Sequence, residues 1–307
     1  MSFSHIPVLL HETIDGLNIK ENGIYVDGTA GGGGHSAEIL SHLKDGKLIS
    51  IDQDPDAIRH VMERFKDEPN SIIVKGNFSD MKELLNSRGI YAVDGVMLDI
   101  GVSSHQLDTA QRGFSFHEEA PLDMRMSQQG ESAYDIVNTY DYASLARIIN
   151  NYGEEKFASS IAKNIVKARE QKPIETTLEL AEIIKNSVPQ KVRREGHPAR
   201  KTFQALRIAV NMELDVLEKG LDDAFELLSK GGRLAVITFH SLEDRIVKQK
   251  MASFCQGCTC PKEFPVCVCG KKPRAKLVNR KPIIASENEL EMNVRSRSAK
   301  LRVCEKL

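Results

Sequence analysis

No apolar stretch of the 307-residue chain approaches the roughly 18 residues that cross a bilayer. The N-terminus has no basic region followed by an apolar run, so neither a membrane span nor a secretory leader is expected, and the reading is a cytosolic protein. Formal net charge is only −1, which excludes a molecule built throughout to bind polyanions. There is no internal repeat and no low-complexity tract. The Gly-x-Gly-x-x-Gly dinucleotide fingerprint is missing as well, since no register of residues 28–36 supplies it, and a nicotinamide dehydrogenase is disfavoured. What is present is an ordinary globular composition, 41% hydrophobic and 28% charged, long enough for one large domain or two modest ones. The charge is uneven. Residues 262–307 hold twelve Lys/Arg against five Asp/Glu, a net +7 that leaves −8 on residues 1–261. That basic tail is either a nucleic-acid face or an ordinary solvated one.

Short apolar runs bounded by turn signals occur at 24–26, 48–51, 72–74, 96–98 and 234–239, with helical patterns between several of them. Such alternation predicts an α/β fold with a parallel sheet, whose ligands sit at the carboxyl ends of the strands. Gly31 to His35, Asp52, Asn77-Phe78 and Asp99 all fall at those ends. The alternation stops after Ser104 and resumes at Gly231-Gly232. Between them Phe157, Ile161 and Ile165 recur at helical spacing, and Thr176 with Glu179 forms a capping box. After Pro198, the run Phe203, Leu206, Val210, Leu214, Leu217 and Leu221 predicts one long amphipathic helix leading back to the sheet. The expected organisation is a sheet domain over 1–108 and 204–307 with a helical insert over 109–203. The alternative is extra helices packed on the same core.

Strand one, Ile24-Tyr25-Val26, runs into Asp27-Gly28-Thr29-Ala30-Gly31-Gly32-Gly33-Gly34-His35. Glycines permit positive φ and close approach of a ligand, and the helix that follows offers unpaired N–H groups. Asp52 lies eighteen residues past Gly34, near the offset of a ribose-binding acid. The pattern Asp27-x-x-x-Gly31-x-Gly33 looks like the first motif of class I S-adenosylmethionine-dependent methyltransferases. Further motifs follow in order: His5-Ile6-Pro7-Val8-Leu9-Leu10, Gly33-Gly34-His35-Ser36, Leu98-Asp99-Ile100-Gly101-Val102-Ser103-Ser104, Gly113-Phe114-Ser115-Phe116, Pro121-Leu122-Asp123-Met124-Arg125-Met126, Thr202-Phe203-Gln204-Ala205 and Phe239-His240-Ser241-Leu242-Glu243-Asp244-Arg245. From about His5 to Val303 the chain resembles the RsmH (MraW) family. That family methylates the N4 amine of a cytosine in small-subunit (16S) ribosomal RNA.

The resemblance implies a class I (Rossmann-like) methyltransferase sheet carrying an inserted all-helical domain, S-adenosylmethionine as methyl donor, and ribosomal RNA of the small subunit as partner. An assembled subunit rather than naked RNA is implied as substrate, with no obligate protein partner and no membrane. Carried over by position, Gly33, Gly34, His35, Asp52, Phe78, Asp99 and Gln106 would contact the cofactor. An ionised Asp52 suits a ribose diol. Phe78 is read either against the adenine face or as a core phenylalanine, and Gln106 as a loop amide. His35 is given no chemistry. Methyl transfer is an in-line displacement, so positioning is most of what a protein supplies. Asp99, at the end of strand four, is the candidate catalytic residue, orienting N4 and accepting charge as the amine reacts. It stands where many amino-methyltransferases carry an Asp/Asn-Pro-Pro-aromatic motif, but Ile-Gly-Val-Ser-Ser follows it here. The target base must be unpaired or flipped. Phe114 and Phe116 are candidate stacking residues, with Asp123, Arg125 and His240 in the same region. Lys191, Arg193, Arg194, Arg200 and Lys201, with Lys271, Lys272, Arg274, Lys276, Arg280 and Lys281, are candidates for phosphate contact. Rival readings keep the cofactor with another nucleobase amine, or keep the fold as a non-enzymatic RNA-binding factor.

Five of the six cysteines crowd into Cys255-x2-Cys258-x-Cys260-x6-Cys267-x-Cys269. Structural zinc on Cys258, Cys260, Cys267 and Cys269 is one reading and reduced thiols the other, with disulfides third. The segment lies outside the motifs that carry the resemblance.

Overall fold

The computed structural model describes residues 7–261, 266 and 268–307, without the side chains of residues 192 and 195. His5, Ile6 and Cys267 therefore lie outside the described residues. Five strands, β1 (Ile24–Asp27), β2 (Lys47–Asp52), β3 (Ser71–Lys75), β4 (Val93–Asp99) and β5 (Leu228–Thr238), pair in parallel in the order β3-β2-β1-β4-β5. β6 (Ala275–Leu277) and β7 (Lys300–Lys306) complete the sheet, β7 antiparallel to β5 and β6 antiparallel to β7. The parallel strands sit where the apolar runs place them, and this is the expected class I methyltransferase sheet. β6 and β7 are additions that the sequence reading does not contain.

The chain divides into two compact units, Met1–Gly101 with Leu214–Leu307, and Val102–Glu213. The first unit opens with α1 (Leu10–Leu17), α2 (Gly34–Ser41), α3 (Pro55–Arg64) and α4 (Met81–Asn86). The second holds α5 (Ser104–Asp108), α6 (Ala133–Thr139), α7 (Tyr142–Gly153), α8 (Ala158–Arg169), α9 (Thr177–Asn186), α10 (Gln190–Glu195) and α11 (Arg200–Asn211). α12 (Glu213–Leu227), α13 (Ser241–Cys255) and α14 (Glu287–Met292) follow as the chain returns to the sheet.

Alternation along the strands sends side chains to opposite faces, and both faces are covered. Val26, Ile49, Val96, Leu98, Leu234 and Val236 pack with Leu217, Leu221 and Phe225 of α12 and Val247, Met251 and Phe254 of α13. Tyr25, Leu48, Met97, Ala235 and Ile237 face the other way, onto Leu17 of α1, Ile39 of α2 and Val61 of α3. Strands buried on both sides read as continuous apolar runs, which is why the sequence shows them.

The second unit has its own core, with Leu145 and Ile149 of α7, Ile161 and Ile165 of α8, Leu180 and Ile184 of α9 and Phe203 and Leu206 of α11. α9 begins at the expected box: the Glu179 N–H donates to Thr176 Oγ1 at 3.2 Å, and Glu179 Oε2 accepts the Thr176 N–H at 3.1 Å. The long helix expected after Pro198 is two helices. Met212 adopts a left-handed conformation (φ +47°) between α11 and α12, which ends the first helix without a glycine. Phe203 and Leu206 consequently belong to the core of the second unit, and Leu217 and Leu221 to that of the first.

Candidate active site

β1 and β4 are neighbours, yet the chain passes from β1 outward to β2 and β3 before returning to β4. This makes their carboxyl ends the switch point of the sheet, where such folds bind ligands. The turn after β1 is fixed from below by Asp27. Its buried carboxylate accepts the Thr29 N–H at 3.1 Å and the Ser36 hydroxyl at 2.6 Å, and burial pushes its pKa up. Gly31 (φ +48°) and Gly33 (φ +73°) carry the left-handed turns. A Cβ on Gly33 would meet the Phe65 ring at 3.0 Å and Val61 at 3.1 Å, and one on Gly34 would lie 2.4 Å from Pro7 Cγ. The sequence argument gives these glycines the task of admitting a ligand. At both positions the protein's own packing already demands glycine.

Asp52 closes β2 against this loop. Its Oδ2 accepts the Gly31 N–H at 2.8 Å and its Oδ1 accepts the Asp54 N–H at 2.8 Å. Burial pushes its pKa up to about 6, against those two N–H bonds, with the charges of Asp54 and Asp27 adding to the rise. A carboxylate oxygen has two acceptor positions, so one on each oxygen remains for a vicinal diol.

Asp99 closes β4. Its backbone N–H donates to Thr29 Oγ1 at 2.7 Å, tying it to the same loop. Oδ1 is buried and has no hydrogen-bond partner. Oδ2 lies 3.8 Å from His35 Nδ1, and the side chain keeps 26% exposure. Burial, with the charges of Asp27 and Glu243, pushes the Asp99 pKa up to about 8. His35 Nε2 lies 3.0 Å from the Val8 carbonyl; a carbonyl only accepts, so Nε2 carries the proton and Nδ1 turns its lone pair toward Asp99. Burial depresses the His35 pKa to about 4, so the ring is neutral near pH 7 and forms no ion pair with Asp99.

Phe78 begins a 3₁₀ turn capped by Asn77, whose Oδ1 accepts the Ser79 N–H at 3.0 Å. Its ring lies on the backbone of Gly220 in α12, where a Cβ would come within 2.4 Å of Cδ2, and its Cβ lies 3.2 Å from the place a Cβ on Gly28 would take. Asp52, Phe78, Asp99 and the Gly33-Gly34-His35 stretch are thus gathered around one loop. Gln106 belongs to the second unit. It is buried and helical rather than in a loop, and its Oε1 accepts the Ser103 N–H at 3.0 Å while its own N–H donates to Ser103 Oγ at 3.2 Å.

Other sequence candidates are occupied by neighbours. Phe114 is buried in the core of the second unit, and Phe116 stacks on His197 at 4.3 Å with its edge toward Phe203. Arg125 grips Asp123 through Nε–Oδ1 (3.0 Å) and Nη2–Oδ2 (2.7 Å). His240 caps α13, its Nδ1 accepting the Glu243 N–H at 3.4 Å and its Nε2 lying 2.8 Å from Glu243 Oε1. Among the basic residues, Lys276 pairs with Glu305, Lys201 donates to the Glu154 carbonyl and Arg274 lies over the rings of Phe225 and Phe254. Lys191, Arg194, Arg200, Lys271, Lys272, Arg280 and Lys281 are exposed. Two site residues escape the sequence reading. Thr29 holds the Asp99 backbone, and nothing in its type announces this. Glu243 accepts the N–H groups of Phe239 (2.8 Å) and His240 (3.2 Å); the His240-x-x-Glu243 spacing signals it once histidine is admitted as a cap. The sulfurs of Cys258, Cys260 and Cys269 lie within 4.8 Å of one another, away from these motifs in sequence. A cavity of about 450 Å³ lined by Lys82, Tyr91, Phe225, Arg274 and Lys306 contains none of the crevice groups.

No helix among the described residues is long and apolar enough to cross a membrane. The chain is 57% identical over 309 residues to ribosomal RNA small subunit methyltransferase H of Clostridium botulinum (strain Loch Maree / Type A3), covering 100% of both chains. It is 58% identical over 311 residues to ribosomal RNA small subunit methyltransferase H 2 of Agathobacter rectalis, covering 100% of this chain and 99% of that one. Among solved structures, an rRNA methylase from Streptococcus thermophilus aligns with 99% of each chain at 11% identity and a TM-score of 0.43, a likeness too slight to carry an argument. The MraW methylase family matches residues 2–307, and with the relatives at this identity the chain belongs to that family.

Proposed function

We propose that this protein transfers a methyl group from S-adenosylmethionine to the N4 amine of a cytosine in small-subunit ribosomal RNA, within an assembled subunit in the cytoplasm. The observation that carries the reading is Asp99 Oδ1, a buried acceptor without a partner at the switch point of the sheet. Buried acceptors are nearly always satisfied in folded proteins, so one left open beside the Thr29 and His35 loop asks for a donor from a ligand.

When bound, the cofactor supplies an electrophilic methyl on a cationic sulfur. Asp52, with one acceptor position left on each oxygen, holds the ribose hydroxyls. Phe78 offers a ring to the adenine, and the backbone of Gly33, Gly34 and His35 lines the remainder. Gln106 stays in the set on the family resemblance, its Oε1 already engaged by Ser103. Asp99 performs the positioning. Accepting an N4–H at Oδ1 turns the amine lone pair out of conjugation with the pyrimidine and holds the proton that the product must lose. A positive charge in the crevice draws the Asp99 pKa down again and restores the carboxylate. Exposed Lys271, Lys272 and Lys281, with Lys191, Arg194 and Arg200, serve the RNA backbone.

The test is incubation of unmodified small subunits with protein and tritiated cofactor, followed by mass mapping of the labelled nucleotide. One methyl on the exocyclic amine of one cytosine is expected. Label in large subunits, in duplex DNA or on a ring carbon would overturn the reading.

A further inference from the structure

From Gln256 to Arg274, between α13 and β6, no described residue is buried, and Val266 and Val268 are 70% and 75% exposed. A segment that buries nothing needs another source of order. The sulfurs of Cys258, Cys260 and Cys269 nevertheless converge within 4.8 Å of one another. Cys258 Sγ and Cys269 Sγ are 3.7 Å apart. That is far beyond a covalent sulfur pair at about 2.0 Å. It matches the edge of a tetrahedron of sulfurs around zinc, about 3.8 Å for a Zn–S length near 2.3 Å. Two backbone N–H groups point at the same sulfurs: Cys260 N–H donates to Cys258 Sγ at 3.4 Å and Val268 N–H to Cys260 Sγ at 3.4 Å. Such bonds stabilise a sulfur that carries negative charge, the form in which it binds metal.

We propose that Cys258, Cys260 and Cys269 bind one zinc ion as thiolates and that this ion sets the conformation of the segment ahead of β6. The thiols release their protons to solvent as the three Zn–S bonds form, and water completes the tetrahedron. The three sulfurs lie apart in sequence from Asp27, Asp52 and Asp99, so the proposal is independent of the methyl-transfer reading. Exposed Lys271 and Lys272 follow the third ligand after one residue, Gly270, so the metal also fixes where these charges are presented.

The test uses full-length protein purified without chelator from zinc-supplemented cells. Elemental analysis should find close to one zinc per chain, and cobalt(II) exchanged into the site should give thiolate-to-metal charge-transfer absorption with the visible bands of a tetrahedral ion. Cys258→Ser and Cys269→Ser should each lose about nine-tenths of the metal, whereas Cys304→Ala, buried in β7, should keep it. Retention of the wild-type circular dichroism and S-adenosylmethionine affinity by the serine variants separates loss of metal from loss of fold. Zinc-free wild-type protein whose thiols react with Ellman's reagent identically with and without added zinc would overturn the proposal. Undiminished zinc in Cys258→Ser would overturn it equally.

Discussion

Around Asp27, Asp52 and Asp99 the chain is set by hydrogen bonds from Ser36, Thr29, Gly31 and Asp54 and by glycines packed against Phe65 and Pro7. From Gln256 to Arg274 it has no buried described residue, and three cysteine sulfurs converge there. Both regions gather groups that favour a cation, yet one is built by the fold and the other, on the zinc proposal, by the ion. Order that comes from burial survives removal of the ligand, whereas order that comes from a ligand does not. The crevice should therefore respond to point changes chemically, with its shape intact.

The largest effect expected is on the acid itself. Asp99→Asn keeps the shape and removes the charge, and single-turnover methylation of small subunits should fall by about 10³-fold with an unchanged circular dichroism spectrum. A smaller effect should follow from crowding Phe78. Gly220→Ala places a methyl against its ring, and overpacking of about 1–2 kcal/mol would weaken S-adenosylmethionine binding by roughly five- to thirtyfold in calorimetry. Unchanged affinity would separate Phe78 from the cofactor and break the comparison at that wall.

The third effect depends on pH. Asp99 is protonated below about 8 in the empty crevice, and a sulfonium favours its ionised form. S-adenosylmethionine affinity should therefore rise by close to tenfold from pH 6.5 to 7.5 and level off above 8, with a proton released on binding. S-adenosylhomocysteine, which lacks the positive charge, should show a markedly flatter profile. Equal slopes for the two ligands would remove Asp99 from the neighbourhood of the sulfur.

The smallest effect is on stability. Asp99, raised to about 8, and Asp52, raised to about 6, hold protons in the folded chain that the unfolded chain has lost. Their contributions are fully present below pH about 4 and are lost as pH rises through 6 for Asp52 and 8 for Asp99. His35, depressed to about 4, acts oppositely: its contribution is present above pH 6.5 and lost as pH falls through 4. Between pH 7 and 8 Asp99 alone of the three titrates. Wild type should lose about 1 kcal/mol across that interval relative to Asp99→Asn, read as a diverging pair of thermal midpoints.

β1, β2, β4 and β5 were legible because burial on both faces leaves an apolar run, and β3, at the sheet edge and mostly half-buried, by its Ile72-Ile73-Val74 alone; the residues at their carboxyl ends were legible with them. β7 was not. Its Lys300-Leu301-Arg302-Val303 alternation is that of a strand, but its cations were counted in a basic tail read as either a nucleic-acid face or a solvated one, whereas Arg302 and Lys300 reach Asp244. The break at Met212 carries no turn residue, so the apolar spacing ran straight through it. His240 was hidden as a cap because imidazole is uncommon there, and Gln106 because its partner Ser103 lies just outside its helix. Thr29 and the Val8 carbonyl act through contacts that only the folded chain creates.

The last parallel pairing of the sheet has a kinetic side. Asp99 of β4 stands opposite Ile237 of β5, with the entire helical unit strung between the two partners. Closing so long a loop is slow for an open chain, and a segment that first collapses into its own compact body shortens the effective distance to be searched. The insert should thus act as a splint during refolding, and the strand that carries Asp99 should be among the last to gain hydrogen-exchange protection.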